Sequence, residues 1–100
     1  MTNFTLKSIG FNSFVLQTSD AEIFLEGNDA SALITYCRLF KVGVLISTSG
    51  NDTCFQFENG DVRYPEAKVV YKNNYRNYAI KISAEDFKNN VESFGGLKFA

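Results

Sequence analysis

Histidine does not occur in this 100-residue chain, and that omission removes most familiar chemistry at once. No imidazole can serve as general base near neutral pH, complete a Ser-His-Asp arrangement or supply the commonest zinc ligand. Cys37 and Cys54 stand isolated in the sequence and do not make a metal site. Neither Gly-x-Gly-x-x-Gly nor Gly-x-x-x-x-Gly-Lys-Ser/Thr occurs, so the common phosphate-cradling loops are missing too. Asp52 and Asp61 are the carboxylates that invite an acid–base reading. Asp52 follows Gly50-Asn51, however, and Asp61 follows Asn59-Gly60, so turn chemistry accounts for both. The residues select no reaction; the expectation is a non-enzymatic protein with no catalytic residue, cofactor or metal.

Charge, by contrast, is laid out unevenly. Residues 20–29 hold Asp20, Glu22, Glu26 and Asp29 and no base, whereas residues 67–82 hold Lys68, Lys72, Arg76 and Lys81 and no acid. The acidic stretch reads either as the solvated face of a hairpin plus a helix cap, or as a carboxylate row that meets a basic groove on a partner. Such a row attracts Lys and Arg over about 10 Å at moderate salt, which speeds association and narrows the choice of partner. Phe24 lies in the middle of this row, on the pleat opposite Ile23 and Leu25, and either is covered or forms an apolar patch. The basic stretch mixes its cations with Tyr71, Tyr75 and Tyr78. It reads either as ordinary strands around an Asn-rich loop or as a single-stranded RNA or DNA contact using Lys68, Lys72, Tyr75, Arg76 and Lys81. Tyr75 and Arg76 at its tip also suit a protein contact, because Tyr and Arg dominate binding hot spots. A net charge of −1 argues against a whole-domain attraction to nucleic acid or anionic membrane.

These residues must be positioned by a scaffold whose period is clearest between Asn28 and Lys41. Ala30, Leu33, Ile34, Cys37 and Phe40 fall on one stripe of a helix, Asn28 or Asp29 caps its first turn, and Arg38 and Lys41 sit where the dipole favours cations. Short strands surround it. Phe4, Leu6 and Ile9 form the first, with Gly10 interrupting; Phe14 and Leu16 belong to a second, and Ile23 and Leu25 to a third across a tight Ser19-Asp20 turn. The run from Val44 to Ile46 suits a central strand. Phe55-Gln-Phe-Glu then meets Asn59-Gly60, which predicts a two-residue type I′ hairpin with Phe57 facing Val62 and Phe55 facing Tyr64. Pro65 ends that strand. Ala67 to Lys72 and Tyr78 to Ile82 make another pair of strands. Ser83 caps a last helix with Asp86 in its first turn and Ala84, Phe87, Val91 and Phe94 on its stripe; Gly95-Gly96 stops it, and Leu97 to Phe99 adds an edge strand.

Residues 1–100, 45% hydrophobic with ten Phe and five Tyr, suit a single globular domain with an aromatic-filled core. The short turns predict an α+β fold built on one antiparallel sheet of about five to seven short strands, with two helices packed mainly on one face. No apolar run is long enough to span a bilayer, and Met1 to Lys7 carries no leader pattern. The chain therefore reads as cytoplasmic, with Cys37 and Cys54 kept as thiols.

In size, Asn- and Phe-rich composition, lack of catalytic residues and the acidic strip from Asp20 to Asp29, the chain resembles the small proteins that phages and prophages carry against bacterial immunity, anti-CRISPR inhibitors among them. The resemblance covers the whole chain loosely and rests on no specific spacing. It implies inhibition by occupying a surface of a host nucleic-acid-handling protein or ribonucleoprotein complex, sometimes with carboxylates standing in for phosphates. The near-neutral charge departs from full nucleic-acid mimicry and favours a mixed-charge contact. Partner-binding residues under this reading are Asp20, Glu22, Phe24, Glu26, Asp29, Tyr75 and Arg76. A toxin-neutralising immunity protein would use the same physics on a different target.

Overall fold

The computed structural model describes residues 3–94. Strands β1 (Thr5–Gly10), β2 (Ser13–Gln17) and β3 (Ala21–Glu26) lead into helix α1 (Gly27–Ile34), which widens into a π-helical turn over Thr35–Leu39. Strands β4 (Val44–Ser49), β5 (Asp52–Phe57), β6 (Val62–Arg63), β7 (Ala67–Tyr71) and β8 (Asn77–Ile82) follow, then helix α2 (Ala84–Phe94). The fold is α+β as expected, but the strands form two antiparallel sheets, not one. Their orders are β1-β2-β3-β7 and β6-β5-β4-β8. The cause lies in the connections. The helical arm carries the chain from β3 to β4, Tyr64-Pro65-Glu66 carries it back from β6 to β7, and residues 72–76 carry it out again to β8. Each sheet turns an apolar pleat inward. Leu6, Leu16, Ile23, Leu25 and Val69 from the first meet Val44, Ile46, Phe55, Phe57, Ile80 and Ile82 from the second in one core, together with Leu33, Ile34 and Cys37 of the helical arm and Phe87 of α2. Full burial of each such large side chain contributes roughly 1.5 to 3 kcal/mol.

Local chemistry explains where the elements begin and turn. Thr18 closes the β2–β3 hairpin by donating its N–H to the Ala21 carbonyl at 2.9 Å, with Ser19-Asp20 as the two-residue loop the sequence indicates. Ser83 Oγ accepts from the Asp86 N–H at 3.0 Å, so the expected cap of α2 is present. The expected helix stop at Gly95-Gly96 and the strand at Leu97 to Phe99 lie outside the described residues.

The expected pair of strands from Ala67 to Lys72 and Tyr78 to Ile82 is divided, because β7 joins β3 in the first sheet and β8 joins β4 in the second. Three local expectations are also corrected. Helix α1 starts at Gly27, one residue after an extended Glu26 (φ −78°, ψ 160°), and no side chain caps it, whether Asn28 or Asp29. Packing takes over the cap's role: the Gly27 N–H donates to the Asn12 carbonyl at 3.0 Å, and a Cβ on Gly27 would lie 1.9 Å from Asn12 Oδ1. Phe40 leaves the buried stripe and is 55% exposed, because the π turn places the Phe40 N–H on the Thr35 carbonyl at 3.0 Å and rotates the residues beyond Cys37. Its ring instead meets Tyr36 edge-on at 5.5 Å. The β5–β6 connection has three residues, since Phe57 donates to the Asp61 carbonyl at 2.8 Å and Gly60 sits at φ 98°. The ladder therefore slips by one: Phe55 pairs with Arg63 and Gln56 with Val62. A glycine at positive φ in the third loop position is the alternative to the two-residue turn for an Asn-Gly sequence.

Candidate binding face

The outward pleat of the first sheet gathers chemistry from four strands. Register places Lys7, Val15, Phe24 and Lys68 in one cross-strand row and Thr5, Gln17, Glu22 and Val70 in the next. Val15 is 2% exposed although it points away from the core, being flanked by the longer side chains of its row. Phe24 beside it is half-buried, while Ile9 and Val70 are exposed. The face is thus apolar at its centre and charged around it. Across its four strands it opens into a groove of about 540 Å³ lined by Ile9, Phe24, Glu26, Glu66, Lys68 and Val70, among others.

The acidic strip read from the sequence does not survive as a continuous row. Asp20 is exposed in the β2–β3 turn, where its carbonyl accepts from the Lys72 N–H at 2.8 Å. The Glu22 carboxylate accepts from the Gln17 amide at 2.7 Å. Asp29 is buried in the first turn of α1, and its carboxylate is taken by Arg63, 2.9 Å from Nε. Glu26 remains on the face with no hydrogen bond or ion pair among the described residues, and the groove pairs it with Glu66. Glu66 has no local signal as a site residue, because only the β3–β7 pairing, with Leu25 opposite Ala67, brings it to the same groove as Glu26.

Tyr75 and Arg76 stand at the tip between β7 and β8. Tyr75 is 78% exposed, while the Arg76 guanidinium lies 5.9 Å from the Tyr71 ring centroid and its backbone is left-handed at φ 52°. Tyr71 points inward: its hydroxyl donates to the Gly50 carbonyl at 2.7 Å and lies 2.9 Å from the Thr48 hydroxyl. Tyr78 is partly buried against the core. Among the cations of the nucleic-acid reading, Lys68 is on the outward pleat of the first sheet and Lys81 on that of the second, opposite Leu45. Lys72 and Arg76 occupy the connection between them, so these four do not share one face.

A second polar cluster lies where the helical arm meets the β5–β6 hairpin. The Tyr36 ring stacks on Phe57 at 4.0 Å, and its hydroxyl donates to the Asp61 carboxylate at 2.8 Å. That hydrogen bond, aided by burial and the Asp61 charge, raises the Tyr36 pKa, and the Arg63 charge opposes it. Asn59 also donates to Asp61, at 3.3 Å. Asp61 is therefore a turn and bridging residue, with Asp52 at the far end of β5.

Cys37 and Cys54 are free thiols; Cys37 is in the core and Cys54 is on the outward pleat of β5, opposite Ser47. Burial pushes the Cys37 thiol up to about 12, with the Glu58 charge adding to the effect. Among the described residues, no group of three His, Cys, Asp or Glu side chains is placed to hold a metal, and no helix is long and apolar enough to cross a membrane. Comparison with protein-family models, with curated proteins and with solved structures yields no match for the chain.

Proposed function

We propose that the chain is a non-enzymatic protein-binding module whose contact surface is the outward pleat of the first sheet. The observation that carries this reading is the half-buried Phe24, set in a row with Val15, Lys7 and Lys68 and bordered by Glu22, Glu26 and Glu66. An aromatic anchor surrounded by charges of both signs is the usual anatomy of a protein contact: the ring supplies affinity, and the rim supplies association rate and selectivity. The resemblance to phage-encoded inhibitors of bacterial immunity supplies the target class, a host nucleic-acid-handling complex blocked by surface occupation. Two free thiols suit work in a reducing cytoplasm.

Capture from bacterial lysate on the immobilised chain, wild type against Phe24→Ala and Glu26→Lys, tests this reading. One stoichiometric partner is expected on the wild type and not on the variants, with thermal melting confirming that both variants fold. Equal capture by all three chains would move the contact elsewhere. A mobility-shift titration with labelled single-stranded oligonucleotides tests the other class: saturable, salt-sensitive binding lost in Arg76→Ala would favour a nucleic-acid binder instead.

A further inference from the structure

We propose that the groove on the outward face of the first sheet receives an arginine side chain presented by the protein partner, its guanidinium set between Glu26 and Glu66 and its stem laid along Phe24. The inference rests on the reading of this face as the contact surface and adds the chemistry of what it grips.

Three observations converge on that occupant. Glu26 and Glu66 adjoin the two members of the last β3–β7 pair, Leu25 and Ala67, and both line the groove, so two like charges stand in one groove, an arrangement that disfavours the free fold. Neither carboxylate has a hydrogen bond or ion pair among the described residues, and Glu26, although it occupies the N-cap position of α1, makes no side-chain cap. The walls around them are apolar: Phe24 is half-buried, and Ile9 and Val70 are 48% and 42% exposed.

A cation that bridges both carboxylates relieves their repulsion, and a long aliphatic stem covers the exposed walls. Arginine fits both demands. Its planar fork can give parallel N–H donors to two acceptors, and its weakly hydrated guanidinium stacks on an aromatic face. A bare divalent ion fits poorly, because calcium takes about six to eight oxygen ligands and the groove offers two carboxylates. Lys68 also borders the groove, so two carboxylates hold the incoming cation against one ammonium.

A second copy of this chain is the competing occupant, since Arg38, Leu39 and Phe40 form an exposed basic and apolar knob. Face-to-face packing of two copies of the sheet is disfavoured, because turning the Lys7–Phe24–Lys68 row on itself sets lysine over lysine.

The test is an amide chemical-shift titration of the isotope-labelled chain with the blocked peptide acetyl-Gly-Arg-Gly-amide and with its citrulline analogue. Saturable shifts are expected at Phe24, Glu26, Glu66 and Lys68 with the arginine peptide only, weakening with added salt. Binding should fall about tenfold or more in Glu26→Gln/Glu66→Gln, the loss of charge-assisted hydrogen bonds of about 1.5 to 3 kcal/mol. Equal shifts with citrulline, shifts located elsewhere, retained binding in the double variant or no shift at the solubility limit of the peptide would overturn it. So would self-association of the wild type that Arg38→Glu abolishes. If the peptide fails while Phe24→Ala still loses the captured partner, the contact face stands and only the arginine inference falls.

Discussion

Arg63 Nε lies 2.9 Å from Asp29 Oδ1, and this ion pair fastens an edge strand of the second sheet to the first turn of the helix that leaves the first sheet. The Asp29 side chain is 12% exposed and that of Arg63 42%. Removing the guanidinium would leave a nearly buried carboxylate with one fewer partner, although the half-exposed Arg63 works in partly screened surroundings. Arg63→Ala should therefore lower unfolding free energy by about 1 to 2 kcal/mol, seen as a reduced urea midpoint at unchanged slope. A midpoint equal to wild type would show that water replaces the pair at no cost.

Alkaline pH should destabilise the fold through its core thiol. Burial holds the Cys37 pKa at about 12, against 9.0 for an unperturbed thiol, so the unfolded chain loses that proton first. The contribution is fully present below pH 9 and is lost as pH rises from about 9 towards 12, with a slope of up to about 1.4 kcal/mol per pH unit. The raised Tyr36 pKa adds loss of the same sign at higher pH. Unfolding free energy measured across that range should fall, and fall less steeply in Cys37→Ala, whatever that variant's stability at neutral pH. In a native thiol titration at pH 8, Cys54 should react and Cys37 should not until denaturant is added.

Lys41 occupies left-handed backbone at φ 57°, just where the π turn closes and the Val42 N–H reaches the Tyr36 carbonyl at 3.2 Å. Glycine adopts that conformation without the Cβ penalty. Lys41→Gly is expected to stabilise the fold by about 0.5 to 1 kcal/mol, raising the melting temperature by roughly 2 to 8 °C. A lower melting temperature would mean that the lysine side chain contributes more than its backbone costs.

The Thr53 hydroxyl is buried and makes no hydrogen bond among the described residues. Valine keeps the β-branched shape and removes the unsatisfied group, so Thr53→Val should raise stability by about 1 kcal/mol. Calorimetry reads this directly, and a destabilised variant would point to a hydrogen bond made by this hydroxyl in solution.

Much of the scaffold was legible because it is local. The alternation around Leu16, Ile23 and Val69, the Ser19-Asp20 turn and the Ser83 cap all depend on residues close in sequence. The division into two sheets was not, since it follows from which strands β7 and β8 pair with, and the β3–β7 pairing closes over α1 and three intervening strands. The same limit governs the site. Phe24 and Glu26 could be picked out from their pleat and charge, whereas Asp29 looked equally available and is instead spent on Arg63. Glu66 carried no local signal at all, for only long-range pairing brings it to the same groove as Glu26. The π turn likewise defeats helical periodicity, which is why Phe40 emerges on the surface.

Hydrogen exchange on the complex with the captured partner decides which face makes the contact. If the chain acts through the outward pleat of its first sheet, amides of residues 22–26 and 66–70 should gain protection on binding while those of residues 72–77 and of β5 exchange as in the free chain. Protection confined to the tip around Tyr75 and Arg76, with residues 22–26 unchanged, would contradict it.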